Sequence, residues 1–270
     1  MAELTASFPF WKGKQIMKFY DFGKKNLPVF VLLHGGGLSW WSFQNIIDEL
    51  QDQYHLVVPV INGHGEEGKT EFVSIEDSAD KLIAYLDANF GGRVFAIGGL
   101  SLGAQITVEV LSRREDIAEF AVIESALCHP MKSIPIFAKP MFHLFYGLIR
   151  QKWFSFLQAK SLGIPEEMFE SYYHDSLKIS KQSLTHLSVS NSLYDCKPGL
   201  KNSRAKALII VGSKEPVPVK ESSQKLHGIL PESQLYLAQG MKHGELSLSH
   251  PIQYISLVSD FFEEQKESRQ

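Results

Sequence analysis

From Val29 onward, apolar runs of strand length alternate with segments of helical periodicity, and that alternation leaves few folds open. Val29 to Leu33, Leu56 to Val60, Arg93 to Ile97, Phe120 to Ile123, Ala207 to Val211 and Gln234 to Ala238 read as strands. Ser42 to Leu50, Ser74 to Asn89, Ala104 to Arg114, Val219 to Ile229 and Ile252 to Glu264 read as helices. In the second of these, Ile75, Ala79, Leu82, Ile83 and Leu86 fall on one face. The strand runs are apolar at successive positions rather than alternate ones, so both of their faces are expected to be covered. A βαβα order with doubly covered strands predicts an α/β fold, a mostly parallel central sheet flanked by helices. Ahead of it, Phe8 to Trp11 and Gln15 to Tyr20, separated by Lys12-Gly13-Lys14, predict an antiparallel hairpin.

The rhythm breaks between Leu127 and Lys201. Spacing there is helical, Pro130, Pro135, Pro140 and Pro165 punctuate it, and it is rich in Phe, Tyr, Trp and Met. Its large apolar residues are Phe137, Met141, Phe142, Phe145, Tyr146, Trp153, Phe154, Phe156, Met168, Phe169, Tyr172 and Tyr173. So much aromatic surface needs something to bury against. The expectation is a helical cap over residues 127–201, seated on the sheet edge, with some of its aromatics walling a pocket. Residues 1–126 and 202–270 then form one core.

The bulk properties narrow the partners. A chain of 270 residues fits one domain with a large insertion, and 44% hydrophobic against 21% charged residues is ordinary for a full core. A net charge of -3 gives no basis for nucleic-acid binding. Met1 to Phe10 lacks a basic region followed by an apolar one, and no apolar run approaches the ~20 residues of a membrane span. A soluble, cytoplasmic protein is expected. Neither Cys128 nor Cys196 belongs to a Cys-x-x-Cys pair, which argues against a zinc or redox motif. They read as free thiols, and they flank the two ends of the insertion.

The chemistry centres on Gly99-Leu100-Ser101-Leu102-Gly103, placed between a strand and a helix. Gly-x-Ser-x-Gly in that setting describes a nucleophile elbow, a turn so tight that glycine is needed on both sides of the exposed serine. A serine hydroxyl needs a base. Of the ten histidines, His243 stands out, in the glycine-flanked loop Gly240-Met241-Lys242-His243-Gly244 after the last strand. His34 and His64 also follow strands but read as loop-fixing. The base needs a carboxylate. Glu215, in Gly212-Ser213-Lys214-Glu215-Pro216, is the first acid after its strand and completes the chain order Ser…Glu…His. Glu124, at the end of the strand before the insertion, is the competitor. An oxyanion needs two convergent backbone donors. Leu102, after the serine, and Gly36, in His34-Gly35-Gly36-Gly37, are the candidates. This chemistry calls for no metal and no cofactor.

In the order and approximate spacing of His34-Gly35-Gly36-Gly37, Gly63-His64-Gly65, the Ser101 pentapeptide and Gly240-Met241-Lys242-His243, the chain resembles the α/β-hydrolases with an inserted helical cap. It is similar to the carboxylesterases and monoacylglycerol-lipase-like hydrolases. The resemblance covers nearly the whole chain and gives Ser101 the nucleophile's place and His243 the base's. Family members more often carry Asp where this chain has Glu215. A serine at position 101 sets the chain apart from the haloalkane dehalogenases and epoxide hydrolases, which use an aspartate nucleophile. The resemblance implies a serine hydrolase that cleaves a small-molecule carboxylic ester, apolar in its acyl or alcohol part, through an acyl-enzyme. Two alternatives are C–C hydrolysis of a β-diketone-like substrate by the same three residues, and a ligand receptor with vestigial hydrolase activity.

Overall fold

The computed structural model describes residues 3–4, 10–11, 14–15 and 17–267. Seven strands form the main sheet: β1 (Lys18–Phe22), β2 (Val29–Leu33), β3 (His55–Val60), β4 (Val94–Leu100), β5 (Ala118–Glu124), β6 (Lys206–Gly212) and β7 (Ser233–Ala238). Their spatial order is β1-β3-β2-β4-β5-β6-β7, with Glu3–Leu4 adding a short antiparallel edge outside β1. Strand β1 runs antiparallel to β3, and the remaining pairs are parallel. Register aligns the strands' C-terminal ends, with Leu33 beside Gly99, Leu100 beside Glu124, and Glu124 beside Ile210. The loops that leave β2, β4, β5 and β6 therefore emerge along one edge.

Side chains of successive strand residues point to opposite faces, so a run apolar throughout feeds two cores. Val31, Leu33, Ile97, Ala121, Ile123 and Ile209 enter the core on one face, with Leu82 and Leu86 of α2 (Ile75–Phe90) and Ile106 and Val110 of α3 (Leu102–Arg113). Phe30, Leu32, Ala96, Phe120, Val122 and Ile210 enter the other, with Ile46, Ile47 and Leu50 of α1 (Gln44–Leu50) and Phe262 of the C-terminal helix Pro251–Glu267. Phe262 is the hub there, its ring centroid 4.8 Å from Phe120 and 5.7 Å from Phe30. Truncating it to alanine would cost about 3–5 kcal/mol. Ser74 starts α2 by accepting the Asp77 N–H on its side chain, and Gly91, in the left-handed conformation, ends it.

Two expectations need correction. Strand β7 is not covered on both faces: it is the edge of the sheet, and Leu235 and Leu237 remain 37% and 45% exposed. The hairpin is shorter than its sequence suggests. Phe10–Trp11 pairs antiparallel with Lys14–Gln15, whereas Lys18 to Tyr20 joins the main sheet as β1. Phe8, Pro9 and Ile16 lie outside the described residues.

Between β5 and β6 the chain runs through α4 (Ile134–Phe145), α5 (Lys152–Ser161), α6 (Phe169–Ser176) and α7 (Lys181–Leu193). Buried Gln105 of α3 ties both ends of this segment together, its amide donating to Leu127 O (2.7 Å) and Asn191 O (3.1 Å). Further along, Trp41 Nε1–H donates to Asp175 of α6 at 2.7 Å, and the Phe72 N–H to Ser183 of α7 at 3.1 Å. The Cys128 and Cys196 thiols meet at the roots of the segment and are free. Sharing a hydrogen bond with Cys196, together with burial, pushes the Cys128 thiol well above its ordinary range. Helix α8 (Val217–Ile229) follows β6, and the short α9 (Glu245–Ser249) precedes the C-terminal helix, α10. No helix among the described residues is long and apolar enough to cross a membrane.

Candidate active site

The turn between β4 and α3 fixes Ser101 in a conformation that side chains other than glycine's rarely adopt, φ 52° and ψ −109°. Holding it there costs of order 1–3 kcal/mol, which the surrounding structure must supply. Part of it comes from the Ser101 N–H, which donates to Glu124 O at 2.9 Å. The flanking glycines are required by space. A Cβ on Gly99 would stand 2.4 Å from Gly103 C, and one on Gly103 would stand 2.1 Å from Leu33 O. Helix α3 thus packs backbone to backbone on the sheet, and the serine is pushed out above it.

Three side chains from three loops form one hydrogen-bonded chain. Ser101 Oγ lies 2.9 Å from His243 Nε2, and His243 Nδ1 lies 2.7 Å from Glu215 Oε2. A carboxylate only accepts, so Nδ1 carries the proton and Nε2 is free to accept from the serine hydroxyl. The other Glu215 oxygen, Oε1, accepts from the Gly212 N–H at 2.9 Å and the Ser125 hydroxyl at 2.7 Å. Ser125 in turn accepts the Gly244 N–H at 3.2 Å, linking the loop of the carboxylate to the loop of the imidazole. Burial pulls the Glu215 carboxyl upward, but the His243, Gly212 and Ser125 contacts outweigh it and hold the group below the usual carboxylate range. The extra methylene of a glutamate is absorbed by folding the carboxylate back onto the start of its own loop, at Gly212.

Glu124 is not the partner of the imidazole. Its Oε1 accepts the Ser247 N–H of α9 at 3.2 Å, and burial raises its carboxyl to about 7. His34 and His64 are committed to the loops. His34 donates from Nδ1 to Gly35 O at 2.9 Å and accepts the Ile61 N–H on Nε2 at 3.0 Å, while His64 Nδ1–H donates to Asn62 O at 3.1 Å. Burial, with repulsion from His64, lowers His34 to about 3, so its ring is neutral.

Gly36 and Leu102 stand side by side: a Cβ on Gly36 would lie 3.8 Å from Leu102 Cβ. Leu102 opens α3, so its N–H has no acceptor within the helix, and no acceptor among the described residues takes the Gly36 N–H. A small cavity of about 60 Å³ holds Ser101, His243, Gly36 and Leu162. A larger one of about 210 Å³ adjoins it, shares Gly36 and Leu162, and extends between α6 and α7. The aromatics of residues 127–201 are mostly elsewhere. Tyr172 alone among those described lines the larger cavity, Phe156 and Phe169 line a separate groove, and Trp153 is 60% exposed. The side chains of Phe137 and Phe142 lie outside the described residues. Sequence reasoning missed Ser125, whose one local signal is its place directly after a strand; its positive φ of 58° shows only in the folded chain.

A hydroxyl, an imidazole and a carboxylate in this order can draw a proton from the hydroxyl oxygen as it attacks an electrophile. Likeness to known proteins bears on the fold. Residues 30–256 match the model of the alpha/beta hydrolase family. The chain belongs to that family. The chain is similar to the uncharacterized hydrolase YugF of Bacillus subtilis (strain 168), 26% identical over 225 residues that cover 76% of this chain and 80% of that protein. Two solved structures share the fold. A thermophilic esterase from Thermogutta terrifontis superposes with a TM-score of 0.74 at 15% identity, covering 98% of each chain. The enol-lactonase from Burkholderia xenovorans LB400 gives 0.75 at 14% identity, covering 92% of this chain and 97% of that one. At such identities these likenesses speak for the fold, and the family places the protein among the hydrolases.

Proposed function

We propose that this α/β-hydrolase is a serine esterase that cleaves a carboxylic ester with a mainly apolar arm through an acyl-enzyme. The observation that carries the reading is the continuous chain from Ser101 through His243 to Glu215, with contacts of 2.9 and 2.7 Å. In this scheme Ser101 Oγ attacks the ester carbonyl carbon while His243 Nε2 takes its proton. Glu215 stabilises the imidazolium and keeps it oriented. The carbonyl oxygen, now carrying the negative charge, is held by the N–H groups of Gly36 and Leu102; one such donor is commonly worth about 3–4 kcal/mol in the transition state. Collapse of the tetrahedral intermediate expels the alcohol, which receives the proton from His243. Water, deprotonated by the same nitrogen, then attacks the acyl carbonyl and releases the acid and Ser101.

Residues 127–201 act as the cap in this reading. They roof the cavity with aliphatic side chains, notably Leu162, Leu184 and Leu187, and exclude water from the charged intermediate. The test is release of p-nitrophenol from esters running from acetate to palmitate. Wild-type protein should turn over the short members, and Ser101→Ala should lose at least about a thousandfold in kcat. Activity of Ser101→Ala within tenfold of wild type would remove Ser101 from the scheme. Absence of both turnover and covalent labelling in the wild type would favour a ligand-binding role.

A further inference from the structure

The larger cavity beside Ser101 has mainly apolar walls, but polar side chains interrupt them. Helix α7 turns Leu184, Leu187, Ser188 and Asn191 toward it, the i, i+3, i+4, i+7 positions of one face. Leu187 touches the glycine loop, 3.6 Å from where a Cβ on Gly36 would be. One turn beyond, the same face becomes polar. Gln158 of α5 and Tyr172 of α6 also line the cavity, beside the apolar Ile149, Leu162 and Ile179, and the Tyr172 ring lies 3.7 Å from where a Cβ on Gly37 would be. The side chains of Gln158, Tyr172, Ser188 and Asn191 make no hydrogen bond to any described residue. Burial alone pushes the Tyr172 hydroxyl up to about 12, with no hydrogen bond contributing. Tyr172 is buried, Gln158, Ser188 and Asn191 are half-buried and open to the cavity, and since none of the four side chains is tied to another described residue, all of them are available to a ligand there.

We propose that this cavity selects an ester whose larger arm carries a hydroxyl, carbonyl or amide group, bound by Asn191, Ser188, Gln158 and Tyr172. The inference rests on the reading of Ser101 as the nucleophile and adds the substrate class to it. The aliphatic stretch at Leu184 and Leu187 holds the first atoms beyond the ester, and the polar end of the α7 face receives the functional group. About 210 Å³ has room for an arm of roughly seven heavy atoms. A plain chain of equal length leaves the four polar groups without partners once water is displaced, and that is where discrimination arises.

Two pairs of esters test this and separate the acyl side from the alcohol side. The first pair is the p-nitrophenyl ester of ω-hydroxyheptanoic acid against p-nitrophenyl octanoate. The second is the acetate of a diol of the same length against octyl acetate. In at least one pair the hydroxylated member should have a kcat/KM about fivefold or more above its plain counterpart. Asn191→Leu combined with Ser188→Ala should shift that ratio about tenfold toward the plain ester, and Tyr172→Phe should shift it the same way by less. Thermal melting confirms that each variant is folded. A wild type that prefers the plain ester in both pairs overturns the proposal, and so does a ratio that the variants leave unmoved. The order of binding to the Ser101→Ala protein, read as a rise in melting temperature with each ester, is independent of turnover. If no ester is hydrolysed, the nucleophile reading fails, while this binding order still decides the chemistry of the cavity.

Discussion

Ser125→Ala removes a hydroxyl that touches neither the ester nor Ser101 in the scheme above, and its effects follow from two contacts. The hydroxyl donates to Glu215 Oε1 at 2.7 Å and accepts the Gly244 N–H at 3.2 Å. A hydrogen bond to a charged group contributes about 1.5–3 kcal/mol, so the variant should lose that much stability. For a chain of this size that amounts to roughly 5 °C in melting temperature. The catalytic effect has a distinct signature. Without one of its donors, the Glu215 carboxylate concentrates more charge toward His243 Nδ1, which favours the imidazolium. The acid limb of the kcat/KM–pH profile should therefore move to higher pH by up to about one unit, or 1.36 kcal/mol. The plateau should fall less than tenfold, because Gly212 N–H still holds Glu215 in place at 2.9 Å. Differential scanning calorimetry and a pH series on p-nitrophenyl acetate give both numbers. An unshifted acid limb together with an unchanged melting temperature would refute the role given to Ser125.

Glu124 should make stability depend on pH with a sign opposite to that of most carboxylates. Its folded value of about 7 lies above the ordinary 4.5, so the folded protein holds more protons than the unfolded chain between those values. Stability falls as pH rises through that window, by up to about 3 kcal/mol. Glu124→Gln should abolish the decline and melt above wild type near pH 8, and parallel curves for the two proteins would show the reasoning to be wrong. Gly103→Ala places a methyl 2.1 Å from Leu33 O, which must push α3 off the sheet. Calorimetry should show a loss of about 1–3 kcal/mol or more, and esterase assays a fall of about a hundredfold as Ser101 moves away from His243. Gly147→Ala, at φ −62° with nothing within 4 Å, is the control and should change neither; a matching loss there would undo the steric argument.

What the sequence makes legible is whatever local backbone chemistry decides. The interior strands of the parallel sheet are visible because each feeds two cores and so is apolar at successive positions through its middle. The turn at Ser101 is visible because only glycine fits at 99 and 103. The glycine-flanked loop of His243 is visible for a similar reason. The choice between Glu215 and Glu124 is not local. Both follow or end neighbouring strands, and the matter is decided by α9, whose Ser247 N–H takes Glu124, while Gly212 and Ser125 collect around Glu215. Ser125 itself is hidden because its partner is 90 residues away and reaches it only through the register of β5 against β6. Composition also misleads in the inserted helices. Aromatic content marks that segment as needing a surface, but Trp153 and Phe145 face solvent, and the cavity is walled instead by Leu184, Leu187 and their polar neighbours.

Whether Ser101 is an activated nucleophile is tested most directly by reaction with a fluorophosphonate, followed by intact mass and peptide mapping. The account predicts a single adduct, carried by Ser101, absent from Ser101→Ala and formed at least about a hundredfold more slowly in His243→Ala. An adduct on another residue, or labelling of wild type no faster than of His243→Ala, would contradict it.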